Sequence, residues 1–263
     1  MKTAIITSDT STNHLTGDGH PEQPKRVIAI TKKLKKNKNL IWDKPHTFDH
    51  NILKKTHDEN YINMVQKSFP NEGIKFLDGD TIISPGSEDA TIDAVGSVIK
   101  AIDGVEQKKF KNAFCPVRPP GHHSEKNKAM GFCIYNNCAV GAHYLIEKFK
   151  YKRVAIWDPD VHQGNGTAAA CQGEEAVYTF SMHGEKNFPF VKERSSLDVG
   201  LGDGLTDGEY AEILAAHLPQ VLEIARADIV FYLAGVDPVA GDRYGRIALS
   251  RAGLRARDHM VLE

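Results

Sequence analysis

Hydrophobic positions along this chain follow two rhythms that take turns. Short runs rich in β-branched and aromatic residues occur at positions 4–7, 113–117, 154–158, 177–182 and 229–234, and each reads as a strand. Most are apolar at successive positions rather than at alternate ones, the pattern of parallel strands covered on both faces. Longer stretches with apolar residues three and four apart predict helices at 24–36, 58–68, 87–106, 137–149 and 207–225, with a last helical pattern over 250–263. Strands alternating with helices predict an α/β fold on a mostly parallel sheet. No internal repeat, low-complexity linker or shift in composition interrupts the pattern, so residues 1–263 are expected to form one domain.

Composition narrows the picture a little. The 41% hydrophobic and 25% charged residues are ordinary for a soluble globular protein. At 263 residues a sizeable core can form without disulfide staples. A formal net charge of −1 argues against broad attraction to nucleic acid or an anionic membrane. It leaves open recognition of one cationic substrate in one pocket. The basic run at 32–38 reads as a solvated helix end. Cys115, Cys133, Cys138 and Cys171 form no C-x-x-C pair and read as reduced thiols. The N-terminal apolar run is too short for a signal segment, and no stretch has the length of a membrane span. A cytoplasmic location is therefore expected.

Polar chemistry is concentrated just past strand ends, at 118–124, 158–167, 183–190 and 235–242. Loops beyond the carboxyl ends of parallel strands converge on one crevice, where ligands bind. Asp160 and His162 stand two positions apart, so on extended backbone their side chains point the same way and can grip one ion. Asp237 closes another apolar strand and can supply a third ligand. Two carboxylates and one imidazole with an open position suit catalytic zinc. The alternative is that the aspartates cap the next helix and His162 is an ordinary buried histidine. His122 and His123 follow a Pro-Pro-Gly turn whose fixed proline φ would hold the imidazoles in place. Beside a metal, such a histidine is a natural general base, and Asp158 can fix its tautomer. A fortuitous surface pair is the competing explanation. Gly131 with Phe132, and Phe188 before a proline, either plug the core or wall a narrow channel for an alkyl chain.

These motifs, in this order, resemble the histone deacetylase superfamily, which includes acetylpolyamine amidohydrolases and acetoin-utilisation proteins. Residues 20–26 match H-P-E-x-P-x-R, His57 and Tyr61 match H-x-x-x-Y, and residues 118–123 match R-P-P-G-H-H. Residues 131–137 match G-F-C-x-x-N-N, residues 158–167 match D-x-D-V-H-x-G-N-G-T, and Gly235 to Pro238 match the last metal motif. The resemblance implies an arginase-like domain with a mostly parallel sheet of about eight strands between helical layers. It implies one zinc ion per chain, bound by Asp160, His162 and Asp237. It makes His122 and His123 a catalytic dyad, paired with Asp158 and Asn165 respectively, with His123 shuttling the proton. Asn165 stands where some relatives have aspartate. Phe132 and Phe188 would line the substrate tunnel. Some relatives also hold a structural potassium ion through the backbone of residues 158–162.

The implied reaction is deacetylation of acetyl-lysine or a small acetylated amine. In the family, a tyrosine in a G-G-Y loop usually helps the metal to stabilise the oxyanion. No G-G-Y stands in the 263 residues. A further strand and helix are expected, so the C-terminal part of the fold is expected to be missing, with Tyr210 or Tyr244 as conceivable substitute donors. Two alternatives follow: a member that binds zinc and acylated ligands without turnover, and an arginase-type dinuclear manganese hydrolase. The second wants ligand-rich D-x-H-x-D and D-x-D loops, whereas this sequence offers Asn165 and a single Asp237.

Overall fold

The computed structural model describes residues 2–263, and the chain divides into two compact units, one ending at Lys148 and one beginning at Phe149. In the first, β1 (Thr3–Ile6) lies between β2 (Ile41–Asp43) and β5 (Asn112–Phe114), all parallel, with Ala4 opposite both Ile41 and Ala113. Helices α1 (Thr10–Asn13) and α2 (Lys25–Leu34) follow β1, and a 3-10 turn at His50–Lys55 precedes α3 (Glu59–Gln66). A short antiparallel pair, β3 (Lys75–Phe76) with β4 (Ile82–Ile83), leads into α4 (Ser87–Glu106). Helix α5 (Asn137–Phe149) belongs to this unit except for its last residue.

Helix α4 organises this unit. Ala90, Ala94, Val95, Val98, Ile99 and Ile102 are buried at helical spacing, and the helix packs on β1 and β5. A Cβ at Gly104 would collide with the Phe110 ring, so glycine permits that approach. Val95 and Ile99 join Leu53, Tyr61, Ile62, Val65, Ile83 and Ile134 in one apolar cluster.

The second unit carries a four-stranded, all-parallel sheet in the order β8-β7-β6-β9. Its strands are β6 (Val154–Asp158), β7 (Val177–Gly184), β8 (Leu197–Leu201) and β9 (Ile229–Tyr232). Helices α6 (Asn165–Cys171), α7 (Asp207–Ala225) and α8 (Arg251–Leu262) connect and follow them. Every residue of β6 is buried, as its unbroken apolar run predicts. A capping box between Thr206 and Glu209 starts α7, and the Ser250 side chain accepts from the Ala252 and Gly253 amides to start α8. Trp157, Val161, Phe180, Met182, Leu201, Tyr210, Leu214, Ile247 and Leu249 form the core. Tyr210 is thus a core residue.

The fold is α/β with parallel sheets flanked by helices. The strand expected at 113–117 is placed at Asn112–Phe114, and that expected at 177–182 runs on to Gly184, which takes His183 out of the loop and into β7. Parallel pairing of Trp157 with Tyr232 makes the chain leave β6 and β9 side by side. All four cysteines are free thiols. No helix is long and apolar enough to cross a membrane.

Candidate functional site

The adjacent exits of β6 and β9 bring three of the expected residues together. Asp160, His162 and Asp237 offer ligand atoms that all lie within 4.8 Å of one another. Asp160 Oδ1 is 3.1 Å from His162 Nδ1, and Asp237 Oδ2 is 2.9 Å from the same nitrogen. Backbone amides fix the carboxylates: His162 N donates to Asp160 Oδ1 at 2.9 Å, and Val161 N donates to Asp237 Oδ1 at 3.0 Å. Asp158, the buried last residue of β6, accepts from the Asp160 amide through Oδ1. The three cluster side chains keep 16%, 16% and 21% of their surface, enough for a small ligand to reach them.

Electrostatics favour a cation here. Two carboxylates converge on one ring nitrogen, which has a single proton to offer them. Burial disfavours the imidazolium, but hydrogen bonds and charge from Asp160 and Asp237 outweigh it and push the His162 pKa up to about 10. Burial, and then the charge of Asp160, push Asp237 up to about 6. A divalent ion would satisfy both carboxylates and displace the proton, so the donor set fits a metal. Glycines keep the cluster tight. A Cβ at Gly235 would run into the Asp160 carboxylate, and one at Gly245 into the Asp237 carbonyl.

Around this cluster, the Phe188 ring lies edge-on to His162 with centroids 6.4 Å apart. Asn165 is buried and opens α6. His183 is buried in β7 with Nδ1 2.9 Å from Ser181 Oγ, and burial lowers its pKa to about 4. Tyr244 is half-exposed, and its carbonyl accepts from Asn187 Nδ2 at 2.6 Å.

In the first unit, His122 and His123 are buried, with ring centroids 4.0 Å apart and planes tilted by 41°. The loop that carries them is pinned from several sides. Arg118, fully buried, donates from Nε and Nη2 to the two Glu22 carboxylate oxygens at 2.6 Å each, and from Nη1 to the Ser11 carbonyl at 2.7 Å. Such a bidentate pair fixes orientation as well as charge. Ser124 Oγ donates to the Ile134 carbonyl, which also accepts from Tyr61 Oη. His57 spans the Glu125 carbonyl and the Asn136 amide at 2.8 and 3.0 Å. Gly131, at φ +55°, lies so close against the His123 ring that a Cβ would collide with it. Phe132 follows at φ 68°, with its amide on Thr81 Oγ1 and its ring edge-on to His20 at 4.7 Å.

Motif spacing therefore places His122, His123, Gly131 and Phe132 together in one unit, and Asp158, Asp160, His162, Phe188 and Asp237 together in the other. The supports were less legible. Glu22, His57 and Tyr61 appear in the sequence as motif letters with no task attached, and Arg257 has no sequence signal beyond being a charge on a helix.

Comparison with known proteins agrees with the motif order. A match to the histone deacetylase domain covers residues 20–263, so the chain belongs to the histone deacetylase family. An uncharacterised protein of Picosynechococcus sp. is 41% identical over 68% of this chain and 59% of its own length. Histone deacetylase 5 of Arabidopsis thaliana is 30% identical over 96% of this chain and 43% of its own length. The chain thus spans about half the length of these two relatives. The crystal structure of the HDA15 HD domain superposes with a TM-score of 0.87 at 26% identity, over 99% of this chain and 81% of that one.

Proposed function

We propose that this protein is a zinc-dependent amidohydrolase that removes an acyl group from acetyl-lysine or a small acetylated amine. The observation that carries the reading is the convergence of the Asp160 and Asp237 carboxylates on His162 Nδ1. These three residues would hold the metal. A zinc ion held there would supply Lewis acidity, making the attacking water a stronger acid and polarising the acyl carbonyl. Among the described residues the cluster has three ligand side chains, which suits one ion better than a dinuclear manganese pair.

The chain's own groups would do the rest. His123 takes a proton from the attacking water as the new C–O bond forms. As the C–N bond breaks, the same imidazole returns the proton to the departing amine. His122 supports it as the second member of the dyad. Asp158 and Asn165 take the acceptor roles that the family resemblance implies for groups that orient catalytic imidazoles. Gly131 and Phe132 in the first unit and Phe188 in the second take the wall roles that the family resemblance implies for the alkyl chain. The locked histidine loop suits this work, because proton transfer demands a heavy-atom approach of about 2.6–3.2 Å.

Release of acetate from an acetyl-lysine peptide and from an acetylated polyamine tests the reading, with zinc-loaded wild-type protein and His123→Ala side by side. Turnover that falls by about 10²–10⁴ in the variant, with bound zinc unchanged, supports it. Zinc binding without turnover of either substrate would replace it with a ligand-binding, non-catalytic member of the family.

A further inference from the structure

Helix α8 carries a charge that the reaction outlined above does not use. Arg257 has no exposed side-chain surface, although it belongs to the most solvent-seeking residue types. Its guanidinium is divided between two tasks. Nε and Nη2 grip Asp258 Oδ1 at 3.0 and 2.8 Å, and Asp258 Oδ1 also accepts from Tyr232 Oη on β9 at 2.6 Å. Nη1 donates to the Gly235 carbonyl at 2.6 Å and to the Pro159 carbonyl at 3.3 Å. Pro159 immediately precedes Asp160, and Gly235 lies two positions before Asp237. One planar group therefore ties together the two loops that present the carboxylates, and anchors both to β9 and α8.

We propose that Arg257 is a positioning residue for the metal cluster, setting the spacing of Asp160 and Asp237 by bridging the backbones that carry them. The proposal rests on the reading of that cluster as a metal site. Lysine is a poor substitute, because one ammonium cannot reach Asp258 and both carbonyls in the geometry of a rigid fork. The two carbonyls would also lose a buried charged donor, and the loops would be free to relax toward water.

Zinc affinity of the purified chain, measured by competition with a chromophoric chelator, tests this without reliance on turnover. Arg257→Met, which keeps much of the side-chain volume, should weaken zinc binding about 10–100-fold, the range typical of groups that orient metal ligands. Arg257→Lys should fall between the two. Leu214→Ala, a cavity in the same core, should lower the melting temperature and leave zinc affinity of the folded protein unchanged. A folded Arg257→Met with wild-type affinity overturns the proposal. If that variant does not fold, Arg257→Lys decides, and wild-type affinity there overturns it equally. Wild-type protein that binds no zinc refutes the cluster reading itself, and the clamp with it.

Discussion

Past β6, two carboxylates share one imidazolium proton and remain partly open to solvent, whereas the loop bearing His122 and His123 is buried and braced by an ion pair and hydrogen bonds. On the proposed reading, a cation would complete the first region. The second is sterically finished: Arg118 with Glu22, the Ser124 hydroxyl and the glycine against His123 fix it before any ligand arrives. Ligand affinity should therefore reside in the open cluster, and reserves of stability in the braced loop. Substitutions in the two regions should separate along that line.

Asp160→Asn gives the largest expected effect. It removes a ligand and half of the negative charge, so zinc affinity should fall by more than the ~100-fold that supporting groups cost. Activity should vanish with it, whereas His123→Ala should lose activity alone. Metal content after dialysis, beside acetate release, separates the two. In the braced region, Arg118→Met leaves the buried Glu22 carboxylate with only the half-exposed Arg26 and the buried His14 beside it, a change that costs about 3 kcal/mol, the low end for a broken buried pair. Urea unfolding should show that loss, and zinc affinity of the folded fraction should stay near wild type.

Acid should sharpen the contrast. Burial lowers His183 in β7 to about 4, and in the first unit it holds two histidines neutral in the same way, His14 and His57. The unfolded chain takes up these protons near pH 6.5, so between about 6.5 and 4 the unfolded state binds more protons and stability falls as pH drops, by about 1.4 kcal/mol per pH unit per histidine. Above pH 7 these histidines contribute no slope. His162 behaves oppositely when no metal is bound. Its raised pKa stabilises the fold fully below about 6.5, and that contribution is lost as pH rises through about 10. Denaturant midpoints at pH 4.5, 7 and 9.5 report both trends, and His57→Gln should reduce the acid slope while sparing the alkaline one. The smallest effect belongs to Ser250→Ala. It removes the cap on α8 and should lower stability by about 1 kcal/mol in thermal unfolding.

The comparison also shows where the chain's letters suffice. β6 is read from 154 to 158 and found at Val154–Asp158, because an apolar run bounded by basic and acidic residues admits few other placements. Helices α4, α5 and α7 match their apolar periodicity end to end. Edge strands are another matter. Leu197–Leu201 contains Asp198 and Gly200, and Ile41–Asp43 has three residues, so neither carries a strand signal of its own; pairing with β7 and β1 makes them strands. Residues 158–167 read as a loop past a strand end, yet from Asn165 the chain folds as a helix that runs to Cys171. Within the site, chemistry-bearing residues stand out because Asp, His and paired prolines are concentrated in the few segments just past strand ends. Arg257 does not stand out, since its neighbours Arg251, Arg255 and Asp258 give the helix a solvated look, and its role exists only once Pro159 and Gly235 lie beneath it.

The most direct test of the account is the number of zinc ions held per chain, read by native mass spectrometry of the metal-free protein titrated with zinc at neutral pH. One ion per chain in the wild type, with none retained by Asp237→Asn at the same zinc concentration, is the predicted result. Two ions per chain, or one ion that survives the substitution undiminished, would contradict it.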